Sequence, residues 1–530
     1  MSQQLAAPTN APGPQAALGS AVRLWLQAYR VEVTLFAVAF FVLAAFSAQR
    51  FWRQSAAPHF VYQSKAWLEG RSDIDPEVLP NLEDWACVRD LGGKKVRCEG
   101  QPLATDRWYS SFPWFPAVVM LPFVVVNGYQ FNDTSFGVIV GALAVALFFS
   151  LLRVLKNTEG TQTTVMDDAL TSLLLGFGTL FFYAAIRGEL WFSAEVMGVG
   201  LTALYLLNAV GARRPVLAGV FWSMAVMTRT PLFFTGLFFF LEVAAPERGA
   251  RVAQLKAFFG KPGEKLKVLG RFVMGAAPLG VLAAGYNLTR FGSLTEFGHR
   301  FFFNNRVNRD IDTFGLFNLH YLTRNLDAAF LKLPLIGKNP VMLGYDAWGL
   351  SLFITLPLLA LCFVPAAQQK RALQLVGAFV GLLIASAMFA PLPPPAGEPP
   401  IGWRPVALWL LFALVLAFIA WSAWQWVTSK DAPRLLVPTL LTLLACTLPG
   451  LAYQNTGYAQ FGFRFSLDYT PYLLLLIPLA GWSWKKPLPL TLALLAIVVN
   501  FWGAVGFSGY TEGERLREER ERARIQQQGR

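Results

Sequence analysis

About thirteen apolar runs recur along the chain, and most of them approach the ~20 residues that an α-helix needs to cross the hydrocarbon core of a bilayer. Charged side chains make up 15% of the residues and the mean hydropathy is +0.44, whereas soluble domains carry about 25% charged residues. We therefore expect an all-α polytopic membrane protein with about thirteen transmembrane helices and a large external first loop. The predicted spans lie near residues 31–48, 134–152, 168–186, 190–208, 215–229, 231–245, 271–286, 349–365, 372–390, 404–426, 435–452, 469–483 and 487–505.

Clusters of lysine and arginine indicate how these spans are oriented. If the spans alternate, every cluster falls on one side, which the excess of positive residues marks as cytoplasmic. The alternation requires that Pro113–Gly128 does not cross, and its roughly sixteen residues would reach only about 24 Å as a helix, so we expect this run to be re-entrant or interfacial. The N-terminus is then cytoplasmic. The first loop faces the exterior or periplasm.

The same map divides the chain into consecutive parts. The tract Met1–Ser20 is rich in Ala, Pro and Gln and lacks the pattern of a cleaved signal. A large polar loop directly after the first span indicates chemistry at a membrane face rather than a simple channel or anchor. The parts are a disordered cytoplasmic N-terminus at 1–30, an N-terminal transmembrane module at 31–286 that includes the external loop 50–112, an external loop at 287–348, C-terminal transmembrane helices at 349–505, and a charged tail at 506–530.

The external loop 50–112 carries cysteines and paired acids. Cys87 and Cys98 could form a disulfide if this loop is outside the cell. Asp73 and Asp75 could bind a divalent cation through oxygen, although two acids at this spacing are common in loops. We assign no metal site, because three histidines cannot support a multi-histidine centre. Nucleic acid is not an expected partner, since loop-anchoring Lys and Arg account for the net charge of +13.

Several charged residues fall at span ends on the predicted external side. Charges at a membrane boundary tend to be paired, to line a watery cavity or to serve function. Arginine side chains recognise phosphate oxygens through paired, charge-assisted hydrogen bonds. The alternative is that these arginines are snorkelling anchors and that Arg187 and Glu189 form a local ion pair. The predicted substrate-binding residues of this set are Arg187, Glu189, Arg229, Arg290, Arg464 and Asp468.

A carboxylate and an aromatic stretch in the first loop complete a possible site. Asp84 could act as general base on an acceptor hydroxyl. Trp108 and Tyr109 belong to an aromatic stretch that could stack on a sugar or pack along an isoprenoid chain. These residue types suit transfer of a sugar from a lipid-phosphate donor, whereas no HExxH, GxSxG, GxxxxGK[ST] or CxxC motif occurs.

The architecture and several segments resemble the GT-C superfamily of integral-membrane glycosyltransferases. The chain is most similar to a bacterial branch related to protein O-mannosyltransferases and the lipid A aminoarabinose transferase. His59–Arg71 resembles the amphipathic segment after the first span in that family, and Trp108–Pro122 resembles its Pro-rich entry into the next helix. The resemblance implies a polyprenyl-phosphate-linked sugar as donor, inversion at the anomeric carbon and a loop aspartate as base. It implies no nucleotide-sugar site, and a need for metal that varies among members.

The chain departs from the family at the start of the amphipathic segment. Members commonly carry an acidic residue there, where this chain has Pro58 and His59. Either His59 takes part of that role, or Asp84 is the base, or the activity is lost, and we favour Asp84. The expected partners are the lipid-linked donor, a glycan, lipid or protein acceptor, and membrane lipids. The resemblance implies a multi-pass protein of the bacterial cytoplasmic membrane whose active site faces the periplasm or exterior.

Three other functions stay open. A polymerase or ligase of envelope polysaccharide would also use external arginines, and the basic loop 287–348 keeps this alternative. A transporter of a lipid-linked substrate would show internal repeats and charges at the bilayer midplane, and neither is evident. The third alternative is a non-catalytic membrane protein of GT-C-like shape.

Overall fold

The structure is a computed structural model that describes residues 27–79, 84–244, 262–303, 305–336, 343–389 and 404–507. The predicted N-terminal segment up to residue 26, the Pro-rich link 391–403 and the tail from residue 508 lie outside the described residues.

Seven of the described helices are long and apolar enough to cross a bilayer. Each contains a long, mostly apolar stretch. The helical conformation keeps the backbone hydrogen bonds within the segment, as a hydrocarbon environment requires. The expectation of an all-α polytopic membrane protein is confirmed. These helices, with their short 3₁₀ or π extensions, are Arg30–Trp52, Asp133–Glu159, Leu190–Ala212, Pro262–Phe291, Ala366–Met388, Val406–Val427 and Pro487–Phe507.

The other predicted spans appear as shorter or interrupted helices. The run 349–365 is split into Leu352–Thr355 and Leu359–Cys362, because Leu356 precedes a proline and leaves the helical conformation. The run 168–186 forms Val165–Phe177 and Phe181–Ala185 with a break at Gly178. The shorter apolar helices are Phe115–Gln130, Pro215–Val226, Thr230–Ala244, Leu436–Leu451 and Thr470–Leu479.

Two glycines allow a close contact between neighbouring helices. A Cβ atom on Gly219 would lie 2.0 Å from the carbonyl oxygen of Phe272, and one on Gly275 would lie 2.1 Å from that of Val216. The backbones of Pro215–Val226 and Pro262–Phe291 therefore approach each other as closely as small residues permit in membrane helix pairs.

The first loop, 50–112, folds as a small domain with a three-stranded antiparallel sheet. Helix His59–Leu68 packs near this sheet, whose strands lie in the order Lys94–Arg97, Trp85–Leu91, Arg107–Ser110. Cys87 and Cys98 form a disulfide with their Cα atoms 5.4 Å apart. The sheet was not part of the sequence-based expectation.

The second loop begins later than expected and folds against the first. Helix Pro262–Phe291 continues past residue 286 and so includes Arg290. The loop contains the helices Asn305–Phe314 and Leu322–Leu326 and the short strands Leu335–Ile336 and Leu343–Gly344. The Phe303 amide donates to the carbonyl of Trp85 at 3.0 Å, which joins the two loops.

We predict that two of the four cysteines are oxidised in the mature protein. A maleimide–polyethylene glycol reagent added in SDS without reductant should label only the thiols of Cys362 and Cys446. Prior reduction should add the thiols of Cys87 and Cys98, and the Cys87→Ser/Cys98→Ser double variant should label identically with and without reductant. Full labelling of the unreduced wild-type protein would contradict the disulfide.

Candidate functional site

A pocket of about 830 Å³, including the space at its mouth, opens where segments distant in sequence meet. It lies between the first loop, the second loop and the ends of several apolar helices. The polar side chains that line it include three carboxylates, two arginines and a histidine. They are Asp84, Glu195, Arg229, His299, Arg464 and Asp468, accompanied by aromatic residues such as Phe112, Trp191, Phe302, Tyr453 and Phe465.

Arg229 is held by a two-point contact with Asp468. Helix Pro215–Val226 ends just before it, and Pro231 opens the next helical turn, so Arg229 adopts an extended backbone conformation. Its Nε donates to Oδ1 of Asp468 at 2.5 Å and its Nη2 to Oδ2 at 2.7 Å. The Asp468 side chain is only 5% exposed. A bidentate arginine–carboxylate pair of this kind fixes the orientation of both groups.

Glu195 lies between the two arginines of the pocket. It is on helix Leu190–Ala209, its side chain is fully buried, and its Oε1 is 3.5 Å from both Nη1 of Arg229 and Nε of Arg464. Neither carboxylate oxygen accepts a hydrogen bond from a described residue. Glu195 therefore holds the two guanidinium groups near each other by charge alone.

Of the two arginines in the pocket, Arg464 has the guanidinium with fewer hydrogen bonds. Its backbone amide donates to Oε1 of Gln460, and its guanidinium lies over the rings of Phe192 and Phe465 at 5.3 and 5.4 Å. The guanidinium donates no hydrogen bond to any residue that the structure describes, and its carboxylate contact is the 3.5 Å ion pair with Glu195. Burial lowers the pKa of Arg464. Unused donors on a buried arginine are suited to an anionic ligand.

Asp84 reaches the pocket from the residue just before strand Trp85–Leu91. It is half-buried and has a positive φ of 58°, a conformation that Asp adopts more readily than most residues. Its carbonyl oxygen accepts a hydrogen bond from the Ser111 hydroxyl at 2.6 Å, which anchors the turn. The negative charge of Asp84 favours the charged form of Arg464.

The structure thus brings together four of the predicted site residues: Asp84, Arg229, Arg464 and Asp468. The predicted site residues did not include Glu195, His299 or Tyr453, although Glu195 and His299 belong to the polar residues that the sequence places near the external side. Glu195 had a signal, since it is a charge inside an apolar run, which is costly in a membrane unless it has a role. His299 and Tyr453 carried no such signal, because each lies in an irregular segment whose position depends on the fold.

Two further predicted groups lie outside the pocket lining. His59 is buried and stacks on the ring of Trp85 with centroids 3.9 Å apart. Arg187 donates two hydrogen bonds to Glu189, at 3.0 and 2.6 Å, which matches the alternative of a local ion pair. This pair neighbours the pocket through Phe192, whose ring contacts Arg187 as well as Arg464.

Arg290 and the predicted aromatic pair also lie outside the lining. Arg290 is fully buried and donates to the carbonyl of Ser110 at 3.1 Å. Trp108 and Tyr109 lie on strand Arg107–Ser110, where Trp108 packs with the disulfide and Tyr109 contacts Phe291. These side chains hold the first loop to the bundle in this structure.

The acidic residues expected to suit a cation have other contacts. Asp73 forms an ion pair with Arg107 at 2.7 Å, and Asp75 accepts a hydrogen bond from the Glu77 amide at 3.0 Å. Among the described residues, the group of three possible metal ligands that comes close together is Cys87, Cys98 and Asp106. Two of these form the disulfide, so their sulfur atoms are not thiolate ligands.

We predict that the Arg229–Asp468 pair is essential for stability. Arg229→Met should lower the free energy of unfolding by about 3–5 kcal/mol, because it leaves the Asp468 carboxylate buried without its partner. The double variant Arg229→Met/Asp468→Leu should recover part of that loss, as measured by thermal unfolding in detergent. Arg107→Met, which removes a more exposed arginine from its pair with Asp73, should cost no more than about 1 kcal/mol. Equal losses for Arg229→Met and Arg107→Met would contradict the assignment.

No protein-family model and no curated protein matches the sequence. Among solved structures, the chain is similar to the oligosaccharyltransferase of Archaeoglobus fulgidus in its apo form, at 15% sequence identity and a TM-score of 0.32. The match covers 88% of this chain and 56% of that one, so the chain spans little more than half the length of this neighbour. We take no functional assignment from a likeness of this size.

Proposed function

We propose that the protein is a membrane glycosyltransferase that moves a sugar from a polyprenyl-phosphate-linked donor to a glycan, lipid or protein acceptor at the external membrane face. The observation that carries this proposal is the buried guanidinium of Arg464, which has unused donors and shares a pocket with the Asp84 carboxylate. An anion-binding group and a candidate base on one pocket are the two elements that transfer from a phosphate-linked donor requires.

Asp84 and the arginines have separate roles in the proposed reaction. The acceptor oxygen attacks the anomeric carbon from the side opposite the phosphate, and the bond between that carbon and the phosphate oxygen breaks. The electron pair leaves with polyprenyl phosphate, and the acceptor proton passes to Asp84. Arg464 binds the phosphate oxygens, while Arg229, already bound by Asp468, adds positive charge nearby.

Aromatic side chains of the pocket are better placed for a sugar or isoprenoid than those first expected. Trp191, Phe112 and Phe302 line the pocket, whereas Trp108 packs with the disulfide of the first loop and Tyr109 packs against Phe291. Apolar lining from Pro449 and Phe465 adds surface suited to a lipid chain.

Two observations support an external site. A disulfide between Cys87 and Cys98 fits an oxidising compartment such as the periplasm. The lysine and arginine clusters at the opposite ends of the spans fit a cytoplasmic side there.

The polymerase or ligase alternative depends on free arginines in the second loop, but Arg290, Arg300 and Arg324 have other contacts. Arg290 is buried against Ser110, Arg324 pairs with Asp310 at 3.3 Å, and Arg300 pairs with Glu296 at 3.7 Å. None of these arginines is part of the pocket lining. These contacts favour a glycosyltransferase over a polymerase or ligase.

Replacing the proposed base should abolish transfer without unfolding the protein. In a deletion strain complemented with Asp84→Asn, we expect the envelope glycan modification to be lost at an unchanged protein level in the membrane. Lipid extracts should then accumulate the polyprenyl-phosphate sugar. Mass spectrometry of glycans and lipids, with an immunoblot of the membrane fraction, measures both.

Asp73→Asn is the matched control, because it makes the same chemical change in the same loop at a surface ion pair. It should complement like wild type. Wild-type glycans from Asp84→Asn would remove Asp84 from the reaction, whereas loss of modification in both variants would point to a fault in the loop rather than in catalysis.

Arg464 should provide the phosphate contact. We expect purified protein to bind methyl farnesyl phosphate, a phosphodiester, and to bind the uncharged farnesyl methyl ether at least tenfold more weakly. Arg464→Gln should lose at least tenfold in affinity for the phosphodiester, since a hydrogen bond to a charged group contributes about 1.5–3 kcal/mol. Isothermal titration calorimetry measures both, and Arg300→Gln, an exposed arginine outside the pocket, serves as the control. Equal affinities of wild type and Arg464→Gln would exclude this role.

A further inference from the structure

The pocket carries more negative than positive formal charge before any ligand binds. Asp84, Glu195 and Asp468 contribute three carboxylates, and Arg229 and Arg464 contribute two guanidinium groups. Arg229 is already bound on two sides by Asp468 and Glu195. A phosphate would add a further negative charge, and like charges in a poorly solvated site repel each other strongly. An additional positive charge, or a proton on one of the carboxylates, would therefore favour binding of an anion.

His299 is the neutral group of the pocket wall that can supply this charge. Gly298, with a φ of 104°, turns the chain just before it. A Cβ atom on Gly298 would lie 2.8 Å from the Cα of Ser111, so this residue keeps the second loop close to the first. The His299 ring packs against Phe112, Phe302 and Tyr453, with centroids 5.7, 5.4 and 6.3 Å away. These contacts place the imidazole at the pocket wall, where it makes no hydrogen bond to a carboxylate of a described residue.

The groups that act on His299 come from several elements. Burial lowers the pKa of His299 below its ordinary value of 6.5, Glu296 on the same segment opposes this shift, and Arg229 adds to it. The phenol of Tyr453 and the charges of Asp84 and Arg464 line the same pocket from other segments. At neutral pH the imidazole is therefore uncharged in the empty pocket.

We propose that His299 takes up a proton from solvent when a phosphate-linked ligand binds beside Arg464, and that the imidazolium is the second cationic group of the anion site. This inference rests on the proposed function and names the charge state of its donor site. No bond of the ligand changes in this step; one proton moves from solvent to the imidazole, and the bound anion keeps it there.

The sign of the pH dependence follows from this exchange. The bound anion raises the pKa of His299 relative to the empty pocket, so affinity increases as pH falls through the interval between the two values. The increase cannot exceed tenfold per pH unit for one proton. At pH values below both pKa values His299 is charged in the empty and in the ligand-bound pocket, and at pH values above both it is neutral in each, so the affinity is then independent of pH.

The test measures proton uptake with methyl farnesyl phosphate as the probe. This phosphodiester keeps one negative charge from pH 5.5 to 8, whereas a phosphate monoester would itself titrate near pH 6. Calorimetry at pH 7 in buffers of different ionisation enthalpy counts the protons taken up, and titrations from pH 5.5 to 8 give the affinity. We expect wild type to take up a fraction of one proton and to bind more tightly at lower pH.

His299→Gln should bind the probe at every pH with the weaker affinity that wild type shows at high pH, with no uptake and no pH dependence. His299→Phe retains an aromatic ring against Phe112 and Phe302 and should behave in the same way. It provides a second test if the glutamine variant does not fold. His320→Gln is the control, because His320 stacks on Phe314 and is not part of the pocket lining. It should keep the wild-type uptake.

Each other outcome overturns the inference in a recognisable way. Wild-type binding without proton uptake excludes His299 while leaving the glycosyltransferase proposal intact. Uptake that persists in both His299 variants but disappears in Glu195→Gln assigns the proton to Glu195. If binding requires added Mn²⁺ or Mg²⁺ and the affinity does not depend on pH, the additional positive charge comes from a metal ion. If wild type does not bind the probe at any pH, the proposed function itself fails, and this inference fails with it.

Discussion

The ion pairs of Arg229 connect parts of the chain that are far apart in sequence. Arg229 and Asp468 are separated by 239 positions, yet two hydrogen bonds join the end of helix Pro215–Val226 to the turn before helix Thr470–Leu479. Glu195 adds helix Leu190–Ala209 to the same contact and brings Arg464 beside Arg229. A buried arginine with carboxylates on two sides is favourable only if all of these elements keep their positions. The shape and charge of the pocket depend on this arrangement.

Arg434, which is half-buried like Arg229, has hydrogen-bond partners for its guanidinium on two sides. Arg434 donates to both Glu159 and Glu242 at 2.8 to 3.1 Å, and it joins helix Asp133–Glu159 to the segment before helix Leu436–Leu451. The Glu159 and Glu242 side chains are each 1% exposed. Arg434 therefore has the contacts of a structural residue. Arg464 differs from it, since its buried guanidinium makes no hydrogen bond with a described residue, and that difference is why we assign ligand binding to Arg464.

The long helices were predictable because hydropathy is a local property of each run, and the seven long helices coincide with apolar runs. The breaks near Gly178 and Leu356 depend on single glycine and proline positions within otherwise apolar runs. The sheet of the first loop was not predicted. Its strands are joined by the Cys87–Cys98 disulfide, and Ala86 pairs with Phe302 of the second loop, so the sheet depends on contacts between separate segments. Arginine at a span end indicated a possible anion site. The sequence does not tell which arginine is already paired, because the partner of Arg229 lies in a distant segment, whereas that of Arg187 is two residues away.

The proposed function requires that the Arg464 pocket binds the phosphate of a lipid-linked sugar. Its most direct test is a cryo-electron microscopy structure of the protein in lipid nanodiscs with methyl farnesyl phosphate bound. We expect phosphate density within about 3 Å of the Arg464 guanidinium, as charge-assisted hydrogen bonds require, with Asp468 still paired to Arg229. Phosphate density at another site, with the Arg464 guanidinium unchanged and without a ligand contact, would contradict it.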